Sequence, residues 1–342
     1  YKLPSYNSQQ QTISDATAHF DPADLRGLGP SRTLVLVNGK RKNASALVYI
    51  NDTPGKGEVG VDMKSIPVAA IERVEVLRDG ASAQYGSDAI AGVVNVILKD
   101  DVDYTTVNFH SGITTEGDGL NRGFDASTGI RVGSGGYLNL SASFLDQEET
   151  NRAGEPGGDG LFGVVFEDEA ILNGTNEWLQ SNPDMGMRVG MPNMTINDVS
   201  YNFGYNLNDQ NKLYSFGSLT TRKSLSYALY RAPYWIPDEH NIFHNEGETY
   251  QGFQPTFESD VIDNSLTAGV TGDKSGWNYD LSASMGSNSA YYTVDNSQNT
   301  DMGAESPTNF KPGGYEFRHT VTNFDLSRSS GMFTIGLGSE FR

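Results

Sequence analysis

From about residue 103 onward the chain alternates apolar and polar residues with a period of two. Val199, Tyr201 and Phe203 fall on one face of such a segment, while Ser200 and Asn202 fall on the other. Because successive side chains of a β-strand point to opposite faces, this period predicts strands with one apolar and one polar face. The same alternation recurs at 138–144, 277–286 and 333–338. We predict about nine strands in this part of the chain.

The connections between these strands alternate between short and long. Short polar turns are predicted at 133–136, 208–211, 272–276 and 327–331. Long irregular connections are predicted at 150–193, 233–256 and 298–314. A membrane β-barrel has tight turns at one end and long loops at the other. Several predicted strands also approach ten residues, whereas strands of a soluble sandwich usually have ~5–6. The pattern therefore favours a transmembrane barrel over a soluble β-sandwich.

Residues 1–100 have a different pattern, with the short elements of a small mixed α/β unit. The segment TLVLVNGKR at 33–41 predicts two strands joined by an Asn-Gly turn. Asp21 followed by Pro22 predicts a short helix over 23–25, because Asp is a good N-cap and Pro fits the first helical position. Further strands are predicted at 73–79 and 93–97, with short helices after 65–67 and at 87–90.

Composition narrows the classes of function. The 342 residues carry a net charge of -19, which disfavours nucleic acid as a partner because phosphate binding needs a surface rich in Lys and Arg. The absence of cysteine excludes disulfides, thiolate metal sites and thiol nucleophiles. The sequence contains no apolar run of about 18 residues, so no transmembrane helix is predicted. The mean hydropathy of -0.46 is compatible with a membrane barrel, since only half of a barrel's residues face lipid.

Two long motifs point to a known family. They are DLRGLGPSRTLVLVNGKRK, from Asp24 to Lys42, and IERVEVLRDGASAQYGSDAIAGVVNVILK, from Ile71 to Lys99. Together they resemble the plug domain of TonB-dependent outer-membrane receptors, in which a plug fills a 22-stranded barrel. The resemblance implies a mostly β fold. A mixed α/β plug at 1–100 would lie inside an antiparallel transmembrane barrel, of which 101–342 supply the N-terminal portion.

The resemblance also implies a function. It is TonB-dependent active transport of a scarce nutrient across the bacterial outer membrane, gated by the plug, without enzymatic chemistry. The substrate stays open among a ferric siderophore, haem, cobalamin and a glycan. Expected partners are TonB with its inner-membrane motor proteins, outer-membrane lipid and lipopolysaccharide, a small-molecule or oligosaccharide substrate, and a surface lipoprotein. Neither nucleic acid nor a cofactor is expected.

The resemblance is incomplete, and other hypotheses stay open. A TonB box and an early plug strand are not recognisable before Tyr1, and more than half of the family's barrel strands are not present. We therefore expect a part of a larger receptor, with a split barrel as the alternative. A soluble β-rich glycan-binding or adhesion module is the second hypothesis. A surface protease or esterase is the third, and it would need catalytic carboxylates or a serine at a barrel rim.

Individual residues receive roles from the resemblance. Arg26 in LRGL and Arg78 in VLRDG match family positions whose guanidinium groups face glutamates of the barrel wall. Both are expected to lock the plug in the barrel, the alternative being a surface ion pair worth under ~1 kcal/mol. Gly80, Gly86 and Gly92 are expected to permit tight turns where the plug meets the wall.

Aromatic residues in the predicted long loops are suited to binding a ligand, because aromatic faces stack on sugars and on aromatic groups. The four residues assigned to this role are Tyr234, Trp235, Trp178 and Phe162. Self-packing of an ordered loop is the alternative interpretation for these residues.

Other motifs carry less information. His240 and His244 are four residues apart and lie near carboxylates, an arrangement that could bind a metal if the segment were helical. A solvated loop is the favoured interpretation, so no metal site is predicted. The segment GLGPSR at 27–32 does not lie between a strand and a helix, as a dinucleotide-binding loop would. No catalytic residue is assigned, because none of the five histidines lies in a recognisable catalytic motif.

Overall fold

A computed structural model describes residues 6–8, 16–49, 55–78, 80–155, 177–235, 242–244 and 247–342. It contains a small α/β unit, called here the plug, followed by a nine-stranded antiparallel sheet, called here the wall. Within the described residues, no helix has the length and apolar character needed to cross a membrane.

The plug is built on a four-stranded sheet that consists of β3 (Thr33–Val37), β4 (Lys40–Arg41), β5 (Ile71–Leu77) and β6 (Gly92–Leu98). The spatial order of these strands is β4–β3–β6–β5. β3 runs parallel to β6, and the other pairs are antiparallel. Asn38 and Gly39 join β3 to β4 with φ values of 48° and 77°. These left-handed values are those of a tight Asn-Gly hairpin turn, so the predicted hairpin is confirmed.

The helix predicted at 23–25 is wrong. Ala23–Leu25 form β2, which pairs with β1 (Tyr6–Ser8). All three residues of β2 are buried, and the Leu25 amide donates to Thr33 Oγ1 at 3.1 Å. Strand pairing and burial therefore outweigh the local N-cap preference of Asp21. Asp21 instead donates its backbone amide to Asp62 Oδ1 at 3.1 Å.

The helical elements of the plug are short. The helices predicted after 65–67 and at 87–90 are present as single 3-10 turns, at Val68–Ala70 and Ser87–Ala89. Three further 3-10 turns, Ala16–His19, Pro30–Arg32 and Met63–Ser65, and one α-helix, α1 (Ala81–Tyr85), were not predicted.

The wall strands follow one another in chain order, each paired antiparallel with the next. They are β7 (Tyr104–Gly112), β8 (Asn121–Val132), β9 (Gly136–Gln147), β10 (Asn193–Asn206), β11 (Asn211–Tyr227), β12 (Thr256–Lys274), β13 (Trp277–Asp295), β14 (Phe310–Ser330) and β15 (Phe333–Phe341). The predicted number of about nine strands is confirmed. One helix, α2 (Glu177–Ser181), lies in the connection between β9 and β10.

The short and long connections lie at opposite ends of the wall, as predicted. Residues 133–135, 207–210, 275–276 and 331–332 form the short turns. Residues 113–120, 148–192, 228–255 and 296–309 form the longer connections. The ends of the strands are called here the short-turn end and the long-loop end.

The two faces of the wall differ as the alternation predicts. Ser200 and Asn202 of β10 are buried, whereas the neighbouring Val199, on the opposite face of the strand, is 52% exposed. Ser282 and Ser284 of β13 are likewise buried. The buried polar face is the one that meets the plug, because Asn202 Nδ2 donates to the Lys99 carbonyl at 2.9 Å.

Apolar residues of the plug and the wall also pack together. The plug core around Val35, Val94 and Val96 extends to Phe216 of β11. A second cluster joins Phe20, Leu47 and Tyr49 of the plug to wall residues of β12 and β13, namely Val261, Ala290 and Tyr292. The plug therefore lies against the inner face of the wall as a packed partner.

Candidate functional site at the plug–wall interface

A series of polar contacts joins the plug to the inner face of the wall, from the short-turn end to the long-loop end. The plug contributes four charged or titratable side chains, and each meets a wall residue. These contacts, called here the seam, are Lys40 with Asp280, Lys42 with Asp263, Asp62 with Arg222, and His19 with Ser224.

The seam begins near the short-turn end at Lys40, the first residue of β4. Its Nζ lies 2.9 Å from Asp280 Oδ1 and 3.7 Å from Asp325 Oδ2. Tyr214 Oη also donates to Asp280 Oδ1, at 2.8 Å. Because the Lys40 side chain is only 10% exposed, its charge is compensated mainly by these wall carboxylates.

The next contact is fully buried. Lys42 Nζ pairs with Asp263 Oδ1, and both side chains are 2% exposed. The second oxygen of Asp263 accepts hydrogen bonds from Asn43 Nδ2 at 2.8 Å and from Asn288 Nδ2 at 2.9 Å. Asn288 Oδ1 in turn accepts from the Ala46 amide at 2.8 Å. Both oxygens of the carboxylate are therefore engaged, as a buried charge requires.

A glycine of the wall makes room for this contact. A Cβ atom added to Gly286 of β13 would lie 2.7 to 2.9 Å from the side chain of Asn43. Such distances are shorter than ordinary van der Waals contacts, so glycine allows the plug to approach the wall closely.

Gly286→Ala is therefore expected to push Asn43 away from Asp263 and to weaken plug docking by about 1–3 kcal/mol, the usual effect of overpacking. The measurement is the urea concentration at which the full-length receptor begins to conduct in planar bilayers. Gly336→Ala is the matched control, because a Cβ there would meet nothing within 4 Å. Equal urea midpoints for the two variants would contradict the prediction.

The third contact is the ion pair between Asp62 and Arg222. Arg222 Nη2 lies 2.6 Å from Asp62 Oδ2, and the two side chains are 0% and 1% exposed. Asp62 Oδ1 accepts hydrogen bonds from the backbone amides of Asp21 and Lys64, at 3.1 and 3.2 Å. The guanidinium carbon of Arg222 lies 5.2 Å from the centre of the Phe20 ring. The plug thus offers Arg222 both a carboxylate and an aromatic face.

The seam ends near the long-loop end at His19. Its Nδ1 lies 2.6 Å from Ser224 Oγ and its Nε2 lies 3.4 Å from Ser226 Oγ. The ring stacks on Phe257 with centroids 5.8 Å apart. Burial, and to a smaller extent the positive charge of Arg222, lower the pKa of His19 to about 3. His19 is therefore neutral at pH 7.

These seam residues were missed by the sequence analysis, although a signal was present. Lys40 and Lys42 alternate in the NGKRK segment directly after the predicted hairpin turn, so they share one face. Asp263 and Arg222 are charged residues on the inner face of β12 and β11. Charged residues that face each other on the plug and on the wall could have suggested ion pairs between the two.

The residues predicted to lock the plug lie at its surface. Arg26 is exposed, with a φ of 62°, in the turn after β2. Arg78 is exposed directly after β5. Their pairing with barrel glutamates stays a prediction.

The three predicted turn glycines all have positive φ values, 72° at Gly80, 84° at Gly86 and 140° at Gly92. Gly80 precedes α1 and Gly86 follows it. A Cβ atom at Gly92 would lie 2.6 Å from the carbonyl oxygen of Leu77, within the plug. Glycine at Gly92 thus serves packing inside the plug, and a role in contact with the wall stays a prediction.

Three of the four predicted ligand-binding residues lie together at the long-loop end. Trp178 stacks on Tyr230 with centroids 5.5 Å apart and meets Tyr234 edge-on at 6.1 Å. Tyr234 and Trp235 are 6.2 Å apart. This group, called here the aromatic rim, joins two loops that are distant in sequence. Phe162 lies outside the described residues.

The histidine motif does not appear as a metal site in the described part of the chain. His240 lies outside it, and His244 places its Nε2 2.6 Å from the Glu248 carbonyl oxygen. Across the described ranges, no group of three or more His, Cys, Asp or Glu residues is arranged to hold a metal ion.

Comparisons with known proteins agree with this architecture. Residues 3–93 match the family model of the TonB-dependent receptor plug domain. Over 131 residues the chain is 34% identical to a probable TonB-dependent siderophore receptor, PirA, of Acinetobacter baumannii, which covers 37% of this chain and 17% of that protein. It is 37% identical over 101 residues to the ferric enterobactin receptor PirA of Pseudomonas aeruginosa, covering 30% of this chain and 14% of that protein.

Solved structures extend the likeness to the wall. The ferric enterobactin receptor PfeA of Pseudomonas aeruginosa superposes with a TM-score of 0.63 at 17% identity, covering 99% of this chain and 45% of that one. The ferric yersiniabactin uptake receptor FyuA of Yersinia pestis gives a TM-score of 0.51 at 12% identity, covering 99% and 44%. These identities show the fold, and the chain spans less than half of either receptor. Residues 3–93 therefore match the plug domain of TonB-dependent receptors, and the chain as a whole has the fold of part of these solved receptors.

Proposed function

We propose that this chain is part of an outer-membrane receptor that imports a ferric siderophore by TonB-dependent transport. The observation that carries the proposal is the plug held against the inner face of the wall through the seam. A plug in that position obstructs the lumen, and its movement opens a path. The siderophore is proposed because the curated relatives are named as siderophore receptors.

The chemistry of the seam suits a plug that must both hold and move. Each seam contact joins polar groups, and water can solvate both partners once they separate. Undocking therefore exposes carboxylates, ammonium groups and hydroxyls to water, together with the apolar contacts around Phe20 and Phe216. A pull by TonB and its inner-membrane motor proteins on the plug would supply the work of separating these pairs.

The outer surface of the wall supports a membrane location. Its exposed large apolar side chains include Val107, Leu219, Leu266, Leu281, Met285 and Phe324. A soluble glycan-binding or adhesion module would expose so wide an apolar surface only at a cost in solubility. We therefore propose the bacterial outer membrane, with its lipid and lipopolysaccharide, as the environment of the wall.

Growth and uptake by a strain lacking the full-length receptor test the proposal. Growth is expected to fail on iron-limited medium that offers only the cognate ferric siderophore, and the receptor gene should restore both growth and uptake of radioactive iron. Uptake should also stop when TonB is deleted. A growth defect confined to medium with a glycan as sole carbon source would contradict the siderophore proposal.

Trp178→Ala is expected to weaken siderophore affinity by up to about tenfold, because an aromatic contact contributes roughly 0.5–1.5 kcal/mol beyond its buried area. Binding to the full-length receptor is measured by quenching of its intrinsic fluorescence. Trp277→Ala is the matched control, since Trp277 begins β13 at the short-turn end and contacts Arg328 instead. The assignment of the rim would fail if both variants bound the siderophore as tightly as the unchanged receptor.

A further inference from the structure

His19 occupies the only part of the seam in the described residues where the plug contributes an uncharged titratable ring. Both of its nitrogens face wall hydroxyls, Ser224 Oγ at 2.6 Å and Ser226 Oγ at 3.4 Å. A hydroxyl donates as readily as it accepts, so a neutral imidazole is satisfied there in either tautomer. The ring is 0% exposed and stacks on Phe257 of β12. Docking therefore removes His19 from water completely.

Within the part of the chain that the structure describes, the charges around His19 do not provide a partner for a protonated ring. The wall places Arg222 beside it, and Asp62 of the plug is already paired with Arg222 at 2.6 Å. Asp21 and Lys64 form a second pair, at 3.9 Å. Further titratable groups are Tyr49 in the adjoining apolar cluster, and Glu149, Arg188 and Tyr227, which line a small cavity beside Ala18. Because Glu149 is paired with Arg188, these groups leave no unpaired carboxylate beside the ring.

We propose that the seam takes up a proton at His19 when the plug undocks from the wall, so that acidification favours the undocked plug. This inference rests on the movable plug of the proposed function, and it is independent of which ligand the receptor carries.

The direction follows from comparing the two states of the plug. In the docked state, burial and Arg222 hold the pKa of His19 at about 3. In the undocked state the ring is in water, where an imidazole has a pKa of about 6.5. Docking is therefore favoured fully above pH 6.5. As the pH falls below that value, the undocked state binds a proton that the docked state excludes, and docking weakens roughly tenfold per pH unit until about pH 3.

The test uses the full-length receptor in planar bilayers at a fixed, sub-saturating urea concentration. The open fraction of the receptor is expected to rise roughly tenfold between pH 7.5 and pH 5.5. In His19→Gln the ratio of the open fraction at pH 5.5 to the open fraction at pH 7.5 should fall towards one. His110→Gln is the matched control and should retain the ratio, because His110 faces Asp125 within the wall at 3.6 Å.

A second measurement reports on His19 itself. In the docked receptor, labelled with carbon-13 at histidine, the His19 ring signal should stay that of a neutral imidazole down to pH 5. Titration of this signal near pH 6.5 would overturn the proposal. The proposal would also fail if the open fraction rose by the same factor between pH 7.5 and pH 5.5 in His19→Gln and in the unchanged receptor. Siderophore uptake at pH 7.5 tests the proposed function separately, because His19 is neutral there in both states of the plug.

Discussion

Arg222→Ala is expected to destabilise plug docking by about 3–5 kcal/mol, because removal of one partner leaves the other as an uncompensated buried charge. Asp62 would keep its two backbone amide donors but lose the guanidinium group at 2.6 Å. The measurement is the free energy of plug release, obtained from urea titrations of the conductance of the full-length receptor.

The neighbouring residue supplies a matched control. Lys223 follows Arg222 on β11 but points to the outer face, where it is 85% exposed and lies 3.7 Å from Asp260. Lys223→Ala is expected to change plug release by less than about 1 kcal/mol. Release of the plug at the same urea concentration in Arg222→Ala and Lys223→Ala would refute the structural role of the pair.

A double variant separates the loss of a pair from the loss of packing. Replacing Arg222 with Met and Asp62 with Asn together removes both charges, so neither remains buried without a partner. Docking of this double variant is expected to be stronger than that of Arg222→Ala, because well-packed uncharged substitutes for a buried pair are often neutral in stability.

Asp263→Ala is expected to have an effect of similar size, about 3–5 kcal/mol, since it leaves the ammonium group of Lys42 buried without a counterion. Asn43 and Asn288 would lose the same acceptor. The measurement is again plug release in urea. Asp260→Ala is the matched control, because Asp260 lies on the same strand with its side chain 62% exposed on the outer face.

The prediction has a specific rescue. Lys42→Met in the Asp263→Ala receptor removes the stranded charge and is expected to recover part of the lost docking energy. Failure of Lys42→Met to recover any of it would show that the effect of Asp263 arises from packing or from the two asparagines.

The strand pattern could be predicted from the sequence because it depends on local rules. A period of two identifies the strands of the wall, and an Asn-Gly pair identifies the hairpin after β3. The helix predicted at 23–25 failed because the pairing partner of that segment, Tyr6–Ser8, and its burial depend on the tertiary fold. Local preference was the weaker effect there.

The seam could not be predicted for a different physical reason. Periodicity shows which face of a strand a residue occupies, but not its height along the wall or the plug residue opposite. Lys42 and Asp263 are separated by 221 residues, and Asp62 and Arg222 by 160. Their contact depends on the registers of several strand pairs together. The aromatic rim was easier to propose, because aromatic residues in long loops are conspicuous in a polar segment.

The opposite orientations of Arg222 and Lys223 have a consequence for how such a chain can change length. Inserting one residue into β11 on the short-turn side of this pair, or deleting one there, would exchange the inward and outward positions of the strand beyond it. The guanidinium group of Arg222 would then face the outer surface of the wall, and the carboxylate of Asp62 would face Thr221 after an insertion or Lys223 after a deletion. Insertions or deletions of an odd number of residues are thus restricted to the connections, and the long connections can diversify while the strands keep their register.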